Sequence, residues 1–135
     1  MPSLEKTCKI VLIFPNFRGN EKFNVTPHLA PLGLGYLAAM LKKNNIPYRI
    51  IDAAASKISQ DTLVQMIEEI NPEFVGLSMN VTTSYSGILS AIKIKRRFPD
   101  IKILMGGPWA HANFENILHK KIADIVFFGE GEYSI

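Results

Sequence analysis

Cysteine is nearly absent: Cys8 is the only one in 135 residues. That excludes an intramolecular disulfide and any multi-cysteine metal site. Histidine is scarce as well. His28, His111 and His119 are scattered, without acidic neighbours at ligand spacing, so the sequence does not point to a histidine metal centre. No apolar run exceeds strand length, which argues against a membrane span. The opening MPSLEKTCK has no apolar stretch of the signal-peptide kind. Internal repeats, low-complexity tracts and linkers are missing too. Neither sign of charge dominates: the formal net charge is +3, short of a nucleic-acid-binding signature. The expectation is one soluble, cytoplasmic domain over residues 1–135, with no nucleic-acid and no membrane partner.

What is present reads as an α/β chain. Hydrophobic residues make up 47% and charged residues 20%, enough for a single substantial core. Short apolar runs rich in β-branched residues predict strands at Lys9–Phe14, Tyr48–Asp52, Phe74–Met79, Ile101–Met105 and Ile125–Phe128. Segments with helical periodicity lie between them, at Leu32–Asn44, from Ser59 to the Asn71-Pro72 stop, at Ser84–Phe98 and at Asn113–Lys120. Continuous apolar strands alternating with helices predict a doubly wound, five-stranded parallel sheet covered on both faces. The flavodoxin-like order 2-1-3-4-5 is the expected one.

Within Pro31–Ala38, PLGLGYLA contains Gly33-x-Gly35-x-x-Ala38, the letters of a dinucleotide fingerprint, and Asp52 follows Gly33 by nineteen residues. The fingerprint needs its first glycine directly off the first strand. Here a loop from Pro15 to Leu32 intervenes. Gly33 and Gly35 are therefore expected in the helix, packing it closely on the sheet, and Asp52 is expected as a cap or loop carboxylate. The loop itself is long enough to suggest a role in covering a ligand or meeting a partner.

Ligands of open parallel sheets bind beyond the carboxyl ends of the strands. The segments gathered there are Pro15-Asn16-Phe17, Ser78-Met79-Asn80-Val81-Thr82-Thr83-Ser84, Gly106-Gly107-Pro108-Trp109 and Gly129-Glu130-Gly131-Glu132. The second is dense in hydroxyls and amides and suits a polar ligand, with helix capping as the alternative. Gly106-Gly107 would let a bulky group approach the backbone, with a strained turn before Pro108 as the alternative. Trp109 and His111 suit either packing on a ligand or surface cover. Glu130 and Glu132 suit a helix start. The basic runs at 93–97 and 119–121 read as solvated helix faces.

PLGLGYLAAMLKKNN, the strand end at Asp52, GLSMN, MGGPWAH and ADIVFFGEGE together resemble the N-terminal cobalamin-binding-like domain of B12-binding radical SAM proteins. The resemblance spans nearly the whole chain and implies cobalamin across the carboxyl edge. Its nucleotide tail would pass Ser78 and run over Gly106-Gly107. The implied cofactor-binding residues are Asn16, Phe17, Ser78, Met79, Asn80, Thr82, Thr83, Gly106, Gly107, Pro108, Trp109, Gly129 and Glu130, with none catalytic and none a metal ligand. The resemblance is incomplete in places. Cobalt-ligating modules carry D-x-H-x-x-G after the first strand, whereas Pro15-Asn16-Phe17-Arg18-Gly19 stands here, so bound cobalamin would be histidine-off. Asn80 replaces the leucine of S-x-L. The C-x-x-x-C-x-x-C motif of a 4Fe-4S cluster is also missing. In the family it lies beyond GEGE, so S-adenosylmethionine and the cluster would belong to a missing domain or to a radical SAM protein in trans. The chain would then be a fragment, a truncated product or a free-standing module without catalysis of its own.

The implied function is the cobalamin-binding module of a B12-dependent radical SAM enzyme of the methyltransferase type. The alternative is an interaction or scaffold module that has lost the corrin. A receiver-like reading is weaker, because no acidic cluster follows the first strand. Replacing Gly107 by valine is expected to block the tail while the fold survives.

Overall fold

The computed structural model describes residues 8–16 and 32–128. The chain runs β1 (Ile10–Phe14), α1 (Leu32–Lys43), β2 (Tyr48–Asp52), α2 (Gln60–Ile70), β3 (Phe74–Ser78), α3 (Ser84–Arg97), β4 (Lys102–Gly106), α4 (Pro108–Ala112), α5 (Phe114–His119) and β5 (Ile125–Val126). The strands form one sheet in the order β2-β1-β3-β4-β5, and every pairing is parallel. This is the expected flavodoxin-like order. No described helix is long and apolar enough to cross a membrane.

Alternation along the strands sends side chains to two different layers. Val11, Ile13, Val75, Leu77, Ile103 and Met105 point into the larger core, where they meet Leu63 and Ile67 of α2, Ala91 and Ile94 of α3, and Ile117 of α5. Ile10, Leu12 and Leu104 point the other way, onto Leu34, Ala38 and Leu41 of α1. Both faces of the inner strands are thus buried, which is why β1 reads as an unbroken apolar run.

Local chemistry sets several boundaries. The Ser59 hydroxyl accepts the Thr62 N–H at 3.2 Å and caps α2. Asn71 ends that helix in the left-handed region at φ 50°, donating its N–H to the Ile67 carbonyl at 2.8 Å. At the far edge of the sheet β5 has only two residues, and a side chain reinforces it. Asp124 Oδ2 accepts the Ile103 N–H at 2.8 Å and pairs with Lys95 Nζ at 2.8 Å. Burial alone would push the Asp124 carboxyl up. The Lys95 hydrogen bond, the Ile103 N–H and the charges of Lys95 and Lys102 outweigh it and hold the group below the usual aspartate value.

The structure also differs from the expected elements. The helix expected over Asn113–Lys120 is present as α5, and a further short helix, α4, precedes it where a turn before Pro108 was expected. Gly107 precedes Pro108 at the first position of α4, and Asn113, at φ −118°, breaks the helix before α5. Proline supplies a helical φ and gives up an N–H that the first turn does not need, so Pro108 starts a helix rather than a turn. β4 ends one residue later than expected, at Gly106, and β5 stops at Val126 instead of Phe128. Gly33 and Gly35 do lie in α1, but not against the sheet. Both are exposed, and a Cβ at either would meet nothing within 4 Å among the described residues. Leu34, Ala38 and Leu41 make the helix–sheet contact instead.

Candidate functional site

Three loops meet the carboxyl edge of the sheet at adjacent strands. β1 ends in Pro15-Asn16, β3 in Ser78 and β4 in Gly106, and Ser78 is the register partner of Gly106. Both belong to the strand positions that face the α1 side, two residues beyond Gly76 and Leu104. Ser78 is half-buried, and no described residue bonds its hydroxyl. At Gly106 an added Cβ would meet, among the described residues, only Phe127 Cβ, at 3.9 Å. Among the described residues, a hydroxyl without a partner therefore stands beside a backbone that no side chain covers.

Gly107 is a different case. Its φ of 99° and ψ of 170° lie in a region that is essentially glycine-only. A Cβ there would collide with the Met79 carbonyl oxygen and lie 3.2 Å from the Met79 nitrogen. The glycine is needed because β3 and β4 are laced together at this point. The Met79 N–H donates to the Gly106 carbonyl at 2.8 Å, and the Trp109 N–H donates to the Met79 carbonyl at 3.2 Å. The strained-turn alternative describes Gly107. The expectation that the fold would survive valine at 107 is corrected, because that side chain would strike backbone before any ligand.

The polar stretch after β3 folds onto itself. Asn80 Oδ1 accepts the Thr83 N–H at 3.0 Å and the Thr82 hydroxyl at 2.6 Å, and lies 3.1 Å from the Thr83 hydroxyl. Thr83 Oγ1 in turn accepts the Asn80 N–H at 3.1 Å and lies 3.2 Å from the Ser78 carbonyl. The Thr83 hydroxyl is fully buried and Met79 fills the larger core. These two side chains hold the loop and do not face solvent. Thr82 is exposed and Asn80 half-exposed.

Asn16 donates its amide N–H to the Ile58 carbonyl at 3.4 Å, joining the end of β1 to the entry of α2. Pro108 is exposed, whereas Trp109 packs against the larger core. His111 meets Phe128 edge-on at 4.8 Å, and Phe114 does so at 5.0 Å. Asp52 is a loop carboxylate whose Oδ1 accepts the Ala55 N–H at 2.9 Å. Phe17, His28, Gly129, Glu130 and Glu132 lie outside the described residues. Val81, 81% exposed at the tip of the β3 loop, escaped the sequence reading, which weighed only the polar letters around it.

Among the described residues no group of three or more histidine, cysteine, aspartate or glutamate side chains could hold a metal ion. Cys8 is buried beneath the sheet. Burial pushes its thiol up, against the smaller pull of the Arg49 charge, so it stays protonated and inert. The edge thus offers hydrogen-bond donors and uncovered backbone, which suit the binding of a polar molecule.

A family model described as "B12 binding domain" matches residues 23–135. An uncharacterized methyltransferase of Pyrococcus horikoshii is 30% identical over 130 residues, covering 94% of this chain and 28% of that protein. Cytidylyl-2-hydroxyethylphosphonate methyltransferase of Streptomyces wedmorensis is 30% identical over 122 residues, covering 76% of this chain and 22% of that protein. The chain thus spans about a quarter of the length of these curated relatives. Among solved structures, the cobalamin-dependent S-adenosylmethionine radical enzyme OxsB, with aqua-cobalamin and S-adenosylmethionine bound, superposes with a TM-score of 0.75 at 20% identity. That match covers 95% of this chain and 18% of the enzyme. At that identity the likeness speaks for the fold.

Proposed function

The chain belongs to the B12-binding domain family, and on that premise we propose that it is a cobalamin-binding module serving radical SAM chemistry of the methyl-transfer kind. The observation that carries the reading is the pairing of Ser78, whose hydroxyl has no partner among the described residues, and Gly106, where a Cβ would meet only Phe127 among them. The residues present fit the cofactor at that point. The hydroxyl can hold a polar group of the nucleotide tail, and the bare strand end lets the tail lie against the backbone. Asn16, Asn80, Thr82 and Pro108 rim the same edge, with Phe17, Gly129 and Glu130 as further candidates from the sequence.

When bound, cobalamin supplies a carrier for a methyl group. This chain's part is to hold and orient the cofactor. Because the sequence after β1 reads Pro15-Asn16-Phe17-Arg18-Gly19, the bound state is histidine-off. A single cysteine cannot hold a 4Fe-4S cluster, so the cluster and S-adenosylmethionine belong to a radical SAM domain or a protein in trans. The setting is the reducing cytoplasm.

Titration of hydroxocobalamin into the purified chain tests the reading. Wild type binds and shows no spectrum of histidine-ligated cobalt. Gly106→Val loses binding while its thermal midpoint stays near that of wild type, since among the described residues a Cβ there meets only Phe127, at an ordinary contact distance. Failure of wild type to bind at near-millimolar cofactor, roughly −4 kcal/mol, refutes the proposal and favours the corrin-free scaffold.

A further inference from the structure

The loop after β3 spends its acceptors inward and leaves one set of donors over. Asn80 Oδ1 is engaged by the Thr83 N–H and the Thr82 hydroxyl. The Thr83 N–H fixes the sense of the amide, because only oxygen can face it. Asn80 Nδ2 is thereby turned away from the loop, and no described residue accepts from it. Thr83 has no exposure and can touch no ligand. It acts on Asn80 at two points, accepting its backbone N–H and sharing one hydroxyl proton between Asn80 Oδ1 and the Ser78 carbonyl. Asn80 stands two residues beyond Ser78, the register partner of Gly106.

We propose that Asn80 is a specificity-determining residue of this edge, donating from Nδ2 to an acceptor oxygen of the cofactor, and that Thr83 is the positioning residue that keeps the donor outward. The inference rests on the cobalamin reading above. Cobalamin carries such acceptors in two parts, the side-chain amides of the corrin ring and the phosphodiester and ribose of the nucleotide tail. A residue that can only donate selects either of these oxygens and rejects a bare N–H.

Asn80→Asp is the clean perturbation. It replaces Nδ2 by oxygen and retains Oδ1, so the inward bonds persist and the fold is kept. Hydroxocobalamin binding weakens about tenfold, as expected for one lost hydrogen bond in a partly desolvated site. Thr83→Val keeps the N–H that fixes the amide but removes the hydroxyl that braces Asn80, so it weakens binding to a lesser degree, and Thr83→Ser restores it. Cobinamide, which has the ring amides without the nucleotide tail, separates the two acceptors. Equal weakening for both compounds assigns the ring amides, and weakening for hydroxocobalamin alone assigns the nucleotide tail. If wild type binds and Asn80→Asp binds equally well, Asn80 is a turn residue only and the inference is overturned, whatever Thr83→Val does. If wild type does not bind, the cobalamin reading falls and takes this inference with it.

Discussion

Replacing Gly107 by alanine should cost far more than its surface position suggests. The residue sits at φ 99° and ψ 170°, where a side chain carries a backbone penalty of about 1–3 kcal/mol. The new Cβ would also be driven into the Met79 carbonyl. Relief means moving Met79 or Gly107, which loosens the Met79–Gly106 and Trp109–Met79 hydrogen bonds, each worth roughly 0.5–1.5 kcal/mol. Together these come to about 2–6 kcal/mol, a large share of the ~5–15 kcal/mol that holds a domain together. In a domain of this size the thermal midpoint should fall by about 10–20 °C. Gly106→Ala is the control, because among the described residues its Cβ would meet only Phe127 at 3.9 Å, and it should melt within a few degrees of wild type (roughly, on the scale of a surface change). Thermal unfolding followed by circular dichroism reads both. If Gly107→Ala melts with wild type, the lacing of the two strand ends is not what demands glycine, and the argument fails.

Asp124 offers a second test. Its carboxyl is held below the unfolded value, so its contribution is full above roughly pH 4 and is lost as pH falls through the lower folded value. Asp124→Ala should cost about 1–2 kcal/mol at neutral pH, and its midpoint should drop less on acidification than that of wild type. Equal acid sensitivity in the two proteins would exclude Asp124 as a source of it. On α1, Gly35→Ala meets nothing within 4 Å among the described residues and should stabilise the chain by roughly 0.5–1 kcal/mol through helix propensity. A lower midpoint in chemical denaturation would instead reveal a contact at that face.

Much of the architecture is legible in the letters because buried parallel strands announce themselves as apolar runs. The boundaries of β2 match the sequence reading to the residue, and the strand order follows from the alternation with helices. What escaped depends on tertiary geometry. The five-residue helix α4 is too short to show a period in the letters. The two adjacent glycines look alike in sequence and differ in cause. Gly107 is fixed by the Met79 carbonyl, which comes from another strand, whereas a Cβ at Gly106 would meet only Phe127 among the described residues. The hydroxyl-rich stretch allowed both a ligand and a capping reading, and the turn closed by Asn80 and Thr83 shows that both can be served by different atoms of one loop. Gly33 and Gly35 misled because helical glycine so often means close packing, and here the apolar positions beside them do that work.

The lacing at Met79 has a consequence for motion as well as for stability. Its N–H and its carbonyl are tied respectively to Gly106 at the end of β4 and to Trp109 in α4, and its side chain is anchored in the larger core. The arms that follow β3 and β4 are thus joined through a single residue and move as one body. A molecule settling across them does not have to freeze two independent loops into register. That ordering is completed during folding, so the free energy of contact can appear as affinity instead of being spent on immobilising the walls.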